Sequence, residues 1–292
     1  MPLSRVVIPA RFDEWRAEAR RLLHDGVPPN EVVWSEATDG QSFLDGLLDA
    51  APGEDTAVAA PSARFRVPAR FLTVAPTASC FRDPQRWALL YRVLWRVTHG
   101  EPHLMHVDVD ADVHRLLAME KAVRRDAHKM HAFVRFRGVV REGADGEDET
   151  HYVAWFEPEH LIVEHATPFF ARRFANMRWS ILTPDASAHW DLRSLHFGPG
   201  IPRSEAPAPD ALEELWRTYY ASTFNPARLK TNAMRAEMPK KYWSNLPEAA
   251  LIPRLIQEAP ARVEEMIERA KRELARPSEG RLPRRGRRDP GA

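Results

Sequence analysis

The sequence predicts an α+β fold: a central antiparallel sheet flanked by helices, with a small N-terminal α/β appendage. Three observations lead there. Between Phe133 and Phe197, apolar residues alternate or cluster in short runs joined by tight turns. On both sides of that stretch the apolar residues recur at helical spacing instead. Across the 292 residues, 44% are hydrophobic and 28% charged, a balance that fills a packed core and excludes wholesale disorder.

The elements follow in chain order. Phe12, Trp15, Ala19, Leu22 and Leu23 place one apolar stripe on a helix that ends at Gly26. Val32–Trp34 reads as a short strand and Ser42–Leu48 as a helical turn, and Ala50–Pro61 is a small, acidic, proline-marked linker. Phe71–Ala75 opens a helix. Asp83 and Pro84 supply a cap and a first-turn proline for a helix over Gln85–Val97, which buries Trp87, Leu90, Tyr91, Leu94 and Trp95. Asp110–His131 forms the next helix, with Val113, Leu116, Met119, Val123, Ala127 and Met130 as its buried stripe.

Strands are expected at Phe133–Val140, Tyr152–Phe156, Arg178–Leu182 and Ala188–Phe197, with a hairpin loop at Gly143–Glu149 and a helix over Pro168–Met177. The four strands should make one antiparallel sheet packed on the tryptophan-bearing helix. Beyond the proline-rich link Gly198–Pro209, helices are expected over Asp210–Ser222, over Pro226–Glu237, and from Pro253 or Pro260 to Leu274. The resulting organisation is a segment at 1–60, a main domain at 67–275 and a basic tail at 276–292 that lacks the apolar residues to order itself.

Several function classes fall away at once. A single cysteine, Cys80, rules out an internal disulfide and any thiolate cluster built by this chain. No apolar run reaches the roughly 20 residues that span a bilayer, so a cytoplasmic protein without a membrane partner is expected. Neither glycine-rich phosphate motif occurs. No cofactor and no metal site is expected.

Charge is nearly balanced overall, with 42 Lys+Arg against 41 Asp+Glu, but it is unevenly distributed. From Glu36 to Pro61 every charge is acidic. Over Lys121–Arg141 the balance reverses. On the helix there, His114, Lys121, Arg124, His128 and His131 share one stripe, with Arg125 and Lys129 beside it. Lys121, Arg124, Arg125 and Lys129 are therefore candidates for phosphate contact, and His128 and His131 for acid/base chemistry near neutral pH. A solvated face is the plain alternative. A second candidate is the Lys240-Lys241-Tyr242-Trp243 loop after Pro239, where lysines suit phosphates and aromatics suit stacked bases. There the alternative is that Tyr242 and Trp243 simply pin the loop to the core. Glu157, Glu159, His160, Glu164 and His165 read as loop decoration, and Cys80 as a small core residue.

Four stretches carry a resemblance: RDPQRWALLYRVLWRV, HRLLAMEKAVRRDAHKMHAFVRFR, YVAWFEPEHLIVEHATPFFARRFANMRWSILTPDASAHWD and LWRTYYASTFNPARLKTNAMRAEMPKKYWSNLPEA. They resemble a bacterial domain-of-unknown-function family described as DNA metabolism or repair proteins. Its members accompany a DNA-repair radical-SAM protein, and the same domain is similar to the N-terminal half of fusions ending in a UdgX-type uracil-DNA glycosylase. The resemblance runs from about Pro68 to the helix holding Met266. It implies a partner of DNA-lesion enzymes and assigns no catalytic residue. This chain has no glycosylase domain after the matching region.

Three functions remain open. One is a DNA-binding accessory that meets DNA without reading its sequence, working with a radical-SAM or uracil-DNA glycosylase partner. The second is an enzyme acting on a nucleic-acid lesion through His128 or His131, with Arg124 stabilising negative charge. The third is a protein-interaction adaptor that makes no DNA contact.

Overall fold

The computed structural model describes residues 3–37, 65–142, 148–205, 221, 224–228, 234 and 238–274. The expected turn at 42–48, the acidic linker at 50–61, the tail at 276–292 and most of the helices expected over 210–222 and 226–237 lie outside these residues. The chain forms two compact units, Met1–Ala208 and Pro209–Ala292.

Unit one begins with a strand the sequence reading missed, β1 (Ser4–Ile8). Helix α1 (Phe12–His24) then leads to β2 (Val32–Glu36), which pairs with β1 in parallel. A strand–helix–strand run favours parallel pairing because the helix spans the return path. Helices α2 (Ala69–Ala78), α3 (Arg86–Thr98) and α4 (Ala111–Phe133) complete this half. Trp15, Leu22, Phe71, Trp87, Leu90, Tyr91, Val113 and Leu116 belong to one continuous core, so the N-terminal α/β segment shares its apolar interior with α2–α4. Trp15 stacks on Trp87 with ring centroids 6.2 Å apart, and Trp34 meets Tyr91 edge-on at 5.7 Å.

Capping fixes α4. The Asp110 carboxylate accepts from Asp112 N at 3.0 Å and Val113 N at 3.2 Å, and it also holds Arg96. The expected apolar stripe is buried in full, from Val113 through Met130. Asp83 accepts from Gln85 N at 2.9 Å in the turn that precedes α3. The N-cap of the helix is Gln85, which makes no side-chain cap, so Asp83 and Pro84 stand in the turn before it rather than as the expected cap and first-turn proline.

Five strands form the central sheet in the order β3-β4-β5-β6-β7: Arg137–Glu142, Asp148–Trp155, Trp179–Leu182, Ala186–Trp190 and Leu195–Pro199. The fold class is α+β as expected, but the sheet is mixed. β4 and β5 pair in parallel, whereas the other neighbours are antiparallel. The chain between them carries helix α5 (Val163–Arg173), and this crossover returns the strand in the same direction. The expected strand Ala188–Phe197 is two strands. Asp191 makes the turn between them, its carboxylate accepting from the amides of Arg193 and Ser194, both at 2.8 Å.

Packing of the sheet also differs from expectation. Phe136, Phe170, Phe174 and Trp179 form an aromatic cluster joining α5 to one sheet face, while α3 packs on β2 and the other N-terminal helices. Helix α5 starts before Pro168 and carries it internally, so Pro168 does not open the helix. In unit two, turns of 3-10 helix at Lys240–Asn245 and Pro247–Leu251 precede α6 (Ile252–Leu274), which buries Ile252, Leu255 and Ala259 along one stripe. No described helix is long and apolar enough to cross a membrane.

Candidate functional site

Helix α4 presents the predicted cationic residues as a surface ridge. Lys121, Arg124, Arg125 and His128 are exposed and Lys129 is half-buried. Arg124 reaches back to Glu120, four residues earlier, at 3.3 Å. Lys121, Arg125 and Lys129 meet no carboxylate within salt-bridge distance among the described residues. Their spacing of four sets them along one side of the helix, about 6 Å of rise apart.

His131 is committed elsewhere. Its Nε2 donates to the Ala166 carbonyl at 3.0 Å, and its ring stacks on Phe169 with centroids 4.2 Å apart. Burial holds its pKa below the ordinary 6.5, helped by the charges of His128, His165 and Arg172. The imidazole thus ties α4 to α5 in its neutral form. His128 stays at the exposed surface beside it.

The 240–243 cluster is a 3-10 turn in unit two. Tyr242 is 1% exposed, which removes its ring from base stacking; the Lys241 ammonium lies 4.7 Å from that ring's centre. Trp243 is half-buried and donates its indole N–H to the Met238 carbonyl at 3.0 Å. Lys240 and Lys241 are exposed.

A third site was not anticipated. On the sheet face opposite α5, a cavity of about 420 Å³ opens over β4, β5 and β6. Strand alternation and register build it. Ser180 sits beside Val153 on one side and His189 on the other, and Ser187 pairs with Gly198. Ser180 Oγ lies 2.8 Å from His151 Nε2 and 2.7 Å from His189 Nδ1, while His189 Nε2 lies 2.9 Å from Ser187 Oγ. Val153, Leu182 and Ile201 give the cavity an apolar wall.

Electrostatics differ from those of the ridge. Burial, with a smaller contribution from His196, pushes the His189 pKa below its ordinary 6.5. Arg178 lines the cavity, but it is ion-paired with Glu149 and donates to the Asp191 carbonyl at 3.1 Å. The Asp191 carboxylate is held well below the usual carboxylate range by the Ser194 and Arg193 amides and by His196. The walls therefore carry no net positive charge.

Gly198 belongs to this site by what it lacks. A Cβ there would stand 2.7 Å from Ser187 Oγ, so the glycine leaves the hydroxyl room to meet His189. Cys80 is a bystander, its thiol pushed up to about 11 by burial.

The family described as a domain of unknown function, DUF4130, matches residues 84–248, more than half of the chain. No curated protein and no solved structure matches the chain.

Proposed function

Since the chain belongs to the DUF4130 family, whose description assigns no activity, we propose from its own surface that it is a DNA-contacting accessory protein of DNA metabolism or repair. The α4 ridge is the observation behind this reading. Lys121, Arg125 and Lys129 stand in line on a capped helix, and no described carboxylate neutralises them. Cations in that arrangement meet a phosphate backbone and displace its counterions, with no base edge read. The working partner is a radical-SAM protein or a uracil-DNA glycosylase, the company implied by the resemblance of the sequence.

Salt dependence tests it. Anisotropy of short labelled duplex and single-stranded oligonucleotides should give log affinity falling with log salt, by roughly 0.7 to 0.9 per phosphate contact. The double substitution Lys121→Ala and Lys129→Ala should flatten the slope by about one to two units. Negligible binding of both oligonucleotides at low salt would leave the ridge as solvated surface and favour the adaptor reading.

A further inference from the structure

We propose that the cavity on the sheet face is a site of carboxylic-ester hydrolysis in which Ser180 is the nucleophile and His189 its base. This stands independently of the DNA-contact reading, since it uses a different face and different residues. The distance from Ser180 Oγ to His189 Nδ1, 2.7 Å, is within the reach that defines a nucleophile and its base. A base needs a third group to fix its ring, and Ser187 Oγ supplies one at the far nitrogen, 2.9 Å away. Gly198 keeps that third group in place, because any side chain there would push into Ser187 Oγ.

A hydroxyl has one proton, so Ser180 donates to one imidazole and accepts from the other. Two proton orders satisfy that count; in the one that primes the serine, His151 Nε2–H donates to Ser180, the serine proton points at His189 Nδ1, and His189 Nε2–H donates to Ser187. Every one of these atoms is then satisfied with neutral rings, the form that burial favours for His189. The pair is poised without a charge having to be created in the resting state.

The walls indicate the substrate class. Arg178, the one cation of the lining, is neutralised by Glu149, so a phosphate dianion would find no free positive charge there. A neutral ester needs none. The apolar wall of Val153, Leu182 and Ile201 suits a short acyl or alkoxy chain, and the volume limits it to a small one.

The reaction balances within these groups and water. Ser180 Oγ bonds to the acyl carbon as its proton moves to His189 Nδ1. The carbon–alkoxy bond breaks, and His189 returns that proton to the departing alkoxide, giving an alcohol. Water then attacks the acyl-serine, its proton passing to His189. The bond to Ser180 Oγ breaks and the serine recovers its proton, releasing the acid.

A fluorophosphonate probe tests the nucleophile without knowledge of the natural ester. Oγ bonds to phosphorus, fluoride leaves, and the serine proton passes to His189. Intact and peptide mass spectrometry of the full chain should find one adduct, on Ser180. His189→Gln, which keeps a polar planar side chain, should slow its formation by at least 100-fold, and the wild-type rate should hold through 6.5 and fall at lower pH, as the depressed His189 pKa is crossed. Hydrolysis of p-nitrophenyl acetate should follow the same pattern. Circular dichroism melts of each variant separate lost chemistry from lost folding. No adduct on the folded wild-type chain, an adduct on another residue only, or an unchanged rate in folded His189→Gln would overturn the proposal.

Discussion

The half-buried imidazoles of His131 and His189 and the exposed one of His165 share one physical consequence. Burial is the first cause lowering the pKa of His131, His165 and His189, so the folded chain binds protons there less readily than the unfolded chain. The unfolded state takes up more protons once the pH falls below about 6.5, and stability rises with pH wherever that holds. Their contribution is therefore fully present above about 6.5 and declines as pH falls from there towards the depressed folded values. Urea denaturation at pH 7.5 and pH 5.5 should show the lower midpoint at pH 5.5. His131→Gln should reduce that difference, since glutamine keeps a donor for the Ala166 carbonyl and does not titrate. These residues also mark how much of the site the sequence disclosed. The ridge on α4 was legible because helical spacing alone puts Lys121, Arg125 and Lys129 together. Ser180 and His151 are 29 positions apart and Ser180 and His189 nine apart, so only strand register brings them to one cavity. Reading Ala188–Phe197 as one strand hid that register.

At the level of elements, the β6–β7 turn holds a cost that can be removed. Leu192 has φ of +81°, the left-handed region in which a Cβ crowds the backbone, and its side chain is exposed. The Asp191 carboxylate gathers the Arg193 and Ser194 amides and so imposes this conformation. Leu192→Asn should stabilise the protein by up to about 1 kcal/mol, because asparagine tolerates the left-handed region. A thermal melt would show the midpoint a few degrees higher; an unchanged or lower midpoint would mean that Leu192 contributes contacts outweighing its strain. The mixed sheet, by contrast, was already implied in the sequence. A helix between Tyr152–Phe156 and Arg178–Leu182 is a strand–helix–strand run, which calls for parallel pairing. Reading tight turns as the rule for all neighbours missed it. β1 escaped notice because five residues at the chain start carry too short a pattern to count.

Over the molecule as a whole, the tryptophan core ties together segments that sequence similarity keeps apart. The family match starts at residue 84, and two residues later comes Arg86, 2% exposed, its guanidinium paired with Glu36. Trp87 donates its indole N–H to the same Glu36 at 2.7 Å and stacks on Trp15, and Tyr91 donates to the Val27 carbonyl at 2.7 Å. Every one of those partners precedes the match. Inheritance and cooperativity thus draw different borders through this chain. A fragment covering 84–248 would expose the faces of Trp87 and Tyr91 and leave the Arg86 guanidinium without its carboxylate. Prepared alone, it should bind a hydrophobic dye, lose its near-ultraviolet dichroism and unfold over a broad range of denaturant, whereas a chain that keeps residues 3–37 should unfold sharply. For this protein the smallest piece that carries the family's sequence is smaller than the smallest piece that melts as a unit.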